Sequence, residues 1–186
     1  MQKEIMIAGF GGQGVLFAGQ VIAYAAMDTG KEVTWIPSYG PEMRGGTANC
    51  TVVIADDEIG SPLVKNPPAM IVLNLPSFDK YEALIQPGGI LIVNRSMVDR
   101  GASRTDIATV FVPGNEMAEE IGDRRLINMV MVGALLTRLP ELSLKDIETA
   151  LNAHLPERHK KLLPQNRLAL QRGYDFAIKE LEKQTA

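Results

Sequence analysis

Six residues near the N-terminus, Gly9-Phe10-Gly11-Gly12-Gln13-Gly14, restrict the fold of this chain more than any other segment. They follow the apolar run Ile5-Met6-Ile7-Ala8 and lead into Gln13 to Met27, where Val15, Leu16, Ala18, Val21, Ile22 and Ala25 recur at helical spacing. A G-x-G-x-x-G segment between a strand and a helix lets the backbone turn tightly and come close to a ligand. It also offers the first N–H groups of the helix to an anion. The short unbroken apolar run reads as a parallel strand buried on both faces. The first thirty residues thus predict a βα unit, with Gly30 as the residue just past the helix end.

Further strands are expected at 33–36, 47–55, 69–73, 90–93 and 109–112, with a short helix over 77–84 and a turn at Pro87-Gly88-Gly89. In the 47–55 strand Ala48, Cys50, Val52 and Ile54 share one face, while Thr47, Asn49 and Thr51 share the other. One face is therefore wet, as in an antiparallel or edge strand. From Asn115 the period becomes helical. One long helix is expected from about Glu116 to Leu139. A second, Leu144–Leu155, is started by the Ser143/Asp146 capping pattern, and a third carries Pro164 in its first turn and ends near Lys183. The fold class is α/β: a Rossmann-like, mostly parallel sheet flanked by helices, with a helical C-terminal third. At 186 residues the chain is expected to be one domain, with 1–114 as the βα sheet region and 115–186 as the helical region packed on it.

Two loops carry the candidate chemistry. The glycine loop supplies Gly9, Gly11, Gly12, Gln13 and Gly14. The segment Ser38-Tyr39-Gly40-Pro41-Glu42-Met43-Arg44-Gly45-Gly46-Thr47 supplies Ser38, Arg44, Gly45 and Gly46. Arg44 suits a bidentate contact with a carboxylate or phosphate, and Glu42 is its partner or an acid/base group. A parallel sheet places ligands beyond the carboxyl ends of its strands, so the two loops should be neighbours. Asn74 and Asn94, at the ends of later strands, should face the same crevice. A glycine turn used only for close packing is the competing reading of the first loop, and an exposed turn that of the second.

Several classes are excluded. The second strand ends Ile36-Pro37-Ser38-Tyr39-Gly40 without the carboxylate that holds a dinucleotide ribose, which weighs against an NAD enzyme. The single cysteine, Cys50, rules out a disulfide framework and a thiolate-held cluster or zinc site on this chain alone. It reads as a small core residue. The formal net charge of −3 argues against a generic nucleic-acid binder. Only four apolar residues precede Gly9, and no run approaches a membrane span, so a cytoplasmic protein without a membrane anchor is expected. His154 and His159 read as surface residues, Met117, Met129 and Met131 as core or interface filling, and Asp56-Asp57-Glu58 as a solvated turn. Neither a catalytic group nor a metal-ligating set can be nominated.

The combination of Gly9–Gly14, Ser38 to Cys50 and Ile59-Gly60-Ser61-Pro62 resembles the gamma subunit of 2-oxoacid:ferredoxin oxidoreductases. Asn128 with Gly133, and Asn166 with Gly173-Tyr174, extend the resemblance over essentially the whole chain, and Pro41 to Cys50 is more similar to the 2-oxoglutarate type than to the pyruvate type. The resemblance implies a subunit that is inactive alone. Its complex would use thiamine diphosphate to make acyl-CoA, CO2 and reduced ferredoxin. Alpha and beta partners, with a delta subunit in some complexes, would carry the thiamine and iron–sulfur groups. This chain would supply assembly and a surface for coenzyme A, with backbone donors from Gly11, Gly12, Gln13 and Gly14 and a charge from Arg44. The alternative is a stand-alone nucleotide- or CoA-binding module.

Overall fold

The computed structural model describes residues 2–39 and 46–185. Six strands form one sheet: β1 (Gln2–Phe10), β2 (Glu32–Tyr39), β3 (Thr47–Ala55), β4 (Ala69–Val72), β5 (Ile90–Asn94) and β6 (Ala108–Val112), in the spatial order β2-β3-β1-β4-β5-β6. β1, β4, β5 and β6 pair in parallel, and β3 runs antiparallel to both of its neighbours. The predicted alternation of β3 is borne out, because Ala48, Cys50, Val52 and Ile54 are all buried in one core layer. β3 is nevertheless an interior strand. β2 takes the edge, the position in a sheet where a proline such as Pro37 is tolerated.

Six helices follow in chain order: α1 (Val15–Asp28), α2 (Leu75–Tyr81), α3 (Gly114–Ile121), α4 (Ile127–Leu136), α5 (Leu144–His154) and α6 (Leu163–Thr185). One correction concerns the long helix expected over 116–139. It is two helices, α3 and α4, divided at Gly122, whose φ of 99° ends α3 in a left-handed turn. Asp123 then caps the next turn by accepting from the Arg125 N–H. The capping box at Ser143 and Asp146 forms as expected. No helix among the described residues is long and apolar enough to cross a membrane.

The two faces of the sheet are covered unequally. On one, Ile5, Ile7, Cys50 and Ile71 belong to the same apolar cluster as α1, α4, α5 and α6. On the other, Met70, Val72, Leu91 and Val93 meet Phe78 and Tyr81 of α2, with Val98 and Ile107 from the segment between β5 and β6. Helix α1, after β1, thus lies on one face, and α2, after the neighbouring strand β4, lies on the other. The β1/β4 boundary is the topological switch point, where an open α/β sheet leaves a crevice at its carboxyl edge.

α4 and α6 pack at very short range. A Cβ added at Gly133 would overlap the carbonyl oxygen of Leu170, and one added at Gly173 would overlap that of Val130. Each glycine therefore lets the partner helix's backbone approach, which explains two of the residues that carried the sequence resemblance.

Candidate functional site

The glycine loop leaves the carboxyl end of β1 at the switch point. Gly12 and Gly14 adopt φ of 97° and 75°, a region open to glycine at little cost. Gly14 is the N-cap of α1, no side chain caps that helix, and its first turn holds no acidic residue. The partial positive charge of the α1 N-terminus is therefore left for an outside group. A Cβ at Gly12 would meet nothing within 4 Å, so the backbone there is open to approach.

Gln13 locks the loop in place. Its Oε1 accepts from the Phe10 N–H at 2.7 Å and from Asn74 Nδ2 at 3.2 Å, while its Nε2 donates to the Leu73 carbonyl at 3.3 Å. The amide thus lies across the β1/β4 boundary and ties the two strand ends together. Gly9 leaves room for it, since a Cβ there would stand 2.7 Å from Gln13 Oε1. Asn74 caps α2 by accepting from the Ser77 N–H at 2.9 Å.

The amides continue along the strand ends. Asn94, fully buried, donates to the Leu73 carbonyl at 3.4 Å and to Asn115 Oδ1 at 3.1 Å, and its own Oδ1 has no partner among the described residues. Asn94 and Gln13 both donate to the Leu73 carbonyl, and Asn74 donates to Gln13, so the three amides form one packed network along the strand ends.

The second loop is joined to the first, for the Gly11 N–H donates to the Gly46 carbonyl at 3.0 Å. Gly9, Gly11, Gly12, Gln13, Gly14, Gly46 and Asn74 are therefore gathered at one edge. Ser38 is not with them. It pairs in register with Asn49, and Asn49 with Ala8, which leaves β3 between Ser38 and β1. Arg44, Gly45 and Glu42 lie outside the described residues.

Cys50 is buried, and burial pushes its thiol up to about 12, which suits the core role expected of it. His154 is exposed and His159 partly so, in keeping with the surface placement expected of them. Both line a cavity of about 540 Å³ beside Gly12 and Gly14, between α1, α5 and the turn at 157–162. His154 stacks on Tyr24 with ring centroids 4.1 Å apart and contacts the Asp28 carboxylate at 3.0 Å. Nothing in the sequence announced this cavity, because α1 and α5 meet only in the fold. The one legible hint was Asn128 and Asn166, which also line it.

A parallel-centred sheet with a glycine loop at its switch point defines the broad dinucleotide-fold class. Within it the family is specific. Residues 4–176 match the pyruvate ferredoxin/flavodoxin oxidoreductase family, and the chain belongs to that family. It is 37% identical over 185 residues to a ketoisovalerate oxidoreductase subunit VorA of Methanothermobacter marburgensis, covering 97% of this chain and 38% of that one. It is equally 37% identical over 185 residues to a 2-oxoglutarate synthase subunit KorC of Methanocaldococcus jannaschii, covering 97% and 96%. Its fold matches the crystal structure of a keto/oxoacid ferredoxin oxidoreductase gamma subunit from Geobacter sulfurreducens, with a TM-score of 0.84, 29% identity, and 96% and 98% of the two chains covered. The expected resemblance and fold class are borne out. The chain spans little more than a third of the VorA relative's length.

Proposed function

We propose that this chain is the gamma subunit of a thiamine-diphosphate-dependent 2-oxoacid:ferredoxin oxidoreductase and that its glycine-loop edge is the coenzyme A-facing surface of the complex. The carrying observation is the uncapped N-terminus of α1 beside the open Gly12, tied through Gly11 to Gly46 at the foot of the Arg44 loop. An anionic group fits there, with N–H donors from the helix, and Arg44 is the cation that the sequence offers for it. Coenzyme A, when bound, supplies the thiol that receives the acyl group. This chain's part is to bind and orient it, with Gln13 holding the loop.

The redox and thiamine chemistry belongs to alpha and beta partners, with ferredoxin as the acceptor through the complex. A single buried cysteine fits that division, since a cluster needs several thiolates. The 2-oxoglutarate type is favoured because the KorC relative matches end to end, whereas the equally identical VorA relative is much longer. Residues 1–186 act as one unit in the cytoplasm.

The test is reconstitution with the alpha and beta partners. The chain alone is expected to show no 2-oxoacid oxidation, and the reconstituted complex to be active. Arg44→Ala raises the KM for coenzyme A at least ten-fold and leaves the KM for the 2-oxoacid unchanged. Turnover by the chain alone, or an unchanged coenzyme A dependence, would overturn the proposal.

A further inference from the structure

The two edges of the sheet are finished differently. β6 is five residues long, and α6 reaches it, with Gln184 Nε2 donating to the Thr109 carbonyl at 2.8 Å. β2 is eight residues long, and none of its residues is buried. Every second N–H and C=O along an edge strand points away from the sheet, and no further strand among the described residues takes up those of β2. Such an edge is commonly blunted by lysines, prolines, a bulge or a cover. β2 has Pro37, but it holds no lysine, and its register with β3 runs unbroken from Glu32 to Tyr39. Together β2 and β3 carry one charged residue, Glu32, in a chain that is 22% charged.

The pairing divides the side chains of β2 between two faces. Val33 and Trp35 stand opposite Ile54 and Val52 and pack against the core on the α1 side. Thr34, Ile36 and Ser38 stand with Val53, Thr51 and Asn49 on the other face. The apolar cluster built on α2 reaches Met6 and Ala8 of β1 on that face, and it includes no residue of β2 or β3. Ile36 is left 39% exposed, and Asn49 and Thr51 are only half-buried. The open side of the sheet is therefore an unpaired edge beside an uncharged face.

The relatives indicate what belongs against it. The match covers 38% of the VorA relative, so in that protein this fold has a large neighbour within the same polypeptide. The KorC relative is matched over 96% of its length, and a chain of that kind has to hold such a neighbour through its surface. A second copy suits the edge less well, since two-fold pairing of β2 with itself would bring Pro37 into the ladder twice. The position is also apt. Tyr39 pairs with Ala48, and Ala48 with Gly9, so the end of β2 lies at the glycine-loop edge, two strand spacings or about 10 Å from β1.

We propose that the β2 edge, with Ile36 and the uncharged face beside it, is the docking surface for the partner subunit that corresponds to the remainder of the VorA chain, and that this partner lays an extended, uncharged segment along β2. The proposal rests on the gamma-subunit reading and adds the surface by which the complex is held.

Hydrogen exchange read by mass spectrometry compares the full chain alone with the same chain in the reconstituted complex. Residues 32–39 are expected to exchange at least ten-fold more slowly in the complex. Ile36→Lys is expected to keep the unfolding midpoint of the chain and to weaken assembly at least ten-fold, whereas Ile36→Val assembles as the wild type does. Should Ile36→Lys fail to fold, the exchange comparison on the wild type decides by itself. An active complex in which 32–39 exchange as fast as in the chain alone would overturn the docking surface and leave the gamma-subunit reading standing. A dimer of the chain alone in sedimentation, dissolved by Ile36→Lys, would make the occupant a second copy and overturn the proposal. Failure of any complex to form would overturn both readings.

Discussion

The face of the sheet that carries Ile5, Ile7 and Cys50 is covered by α1, α4, α5 and α6, while the face that carries Met70, Val72 and Val93 is covered by α2 and the 95–107 segment. The first is closed by apolar packing so tight that two glycines meet the partner helix's backbone. The second is closed with charge. Glu82, almost wholly buried, accepts from both Arg100 NH groups at 3.1 Å and from the Ser103 N–H at 2.5 Å. Arg100 also lies 4.0 Å above the Phe78 ring and bonds Asp79, while Arg104 donates to the carbonyls of Glu82, Ala83 and Ile85. A face with too few apolar side chains is thus strapped down by two arginines. The packed face should tolerate no added volume, and the strapped face should be sensitive to charge and pH.

The largest effect is expected on the packed face. Gly133→Val forces α4 away from the Leu170 carbonyl, and because backbone rather than a flexible side chain must move, the cost should reach about 3 kcal/mol or more. Denaturant unfolding measures it. A loss below about 1 kcal/mol would show that α6 can slide, and the contrast between the faces would fail.

On the strapped face Arg100→Ala leaves the Glu82 carboxylate buried without its cation. The Arg100 side chain is 37% exposed, so the expected cost is discounted for solvent screening to about 2 kcal/mol, read by the same unfolding measurement. The network also has a pH signature. Burial raises the Glu82 pKa, but the Ser103 N–H and the Arg100 guanidinium outweigh it, and the net shift is downward. A carboxyl depressed in the folded state contributes stability above its unfolded pKa, and that contribution is lost as pH falls through the folded value. Wild-type stability should therefore drop below the usual glutamate range, and Glu82→Gln should flatten that drop while lowering stability at pH 7. An equally steep acid limb in the variant would place the sensitivity elsewhere.

Legibility in the sequence differed between these regions for physical reasons. Strand periods, the glycine loop and the Ser143 capping box are local, so β3 could be read to its end residues and α5 to within one. The break at Gly122 was also local, a glycine followed by a capping aspartate, but the apolar spacing on either side masked it. The strap was invisible, because Glu82 and Arg100 are 18 residues apart and meet only over Phe78. The candidate site was half legible. The clustering of the glycines with Asn74 followed from their place after strands, whereas His154 comes to lie on Tyr24 and Asp28 only when α5 packs against α1.

The smallest effects should arise where the two faces are joined. Asn74 does two jobs there, capping α2 on the strapped face and holding Gln13, whose loop starts α1 on the packed face. Loss of an N-cap costs about 1 kcal/mol, so Asn74→Ala should fall near that value in denaturant unfolding. Gln13→Ala should cost about as much, since it removes hydrogen bonds to Phe10, Leu73 and Asn74 at a half-exposed site. The double variant separates a junction from two independent contacts. If the amides act together, the combined loss should fall short of additivity by about 0.5 kcal/mol or more, the range expected of side chains in one network. Strict additivity would mean that each face is anchored separately and that Gln13 serves the glycine loop alone.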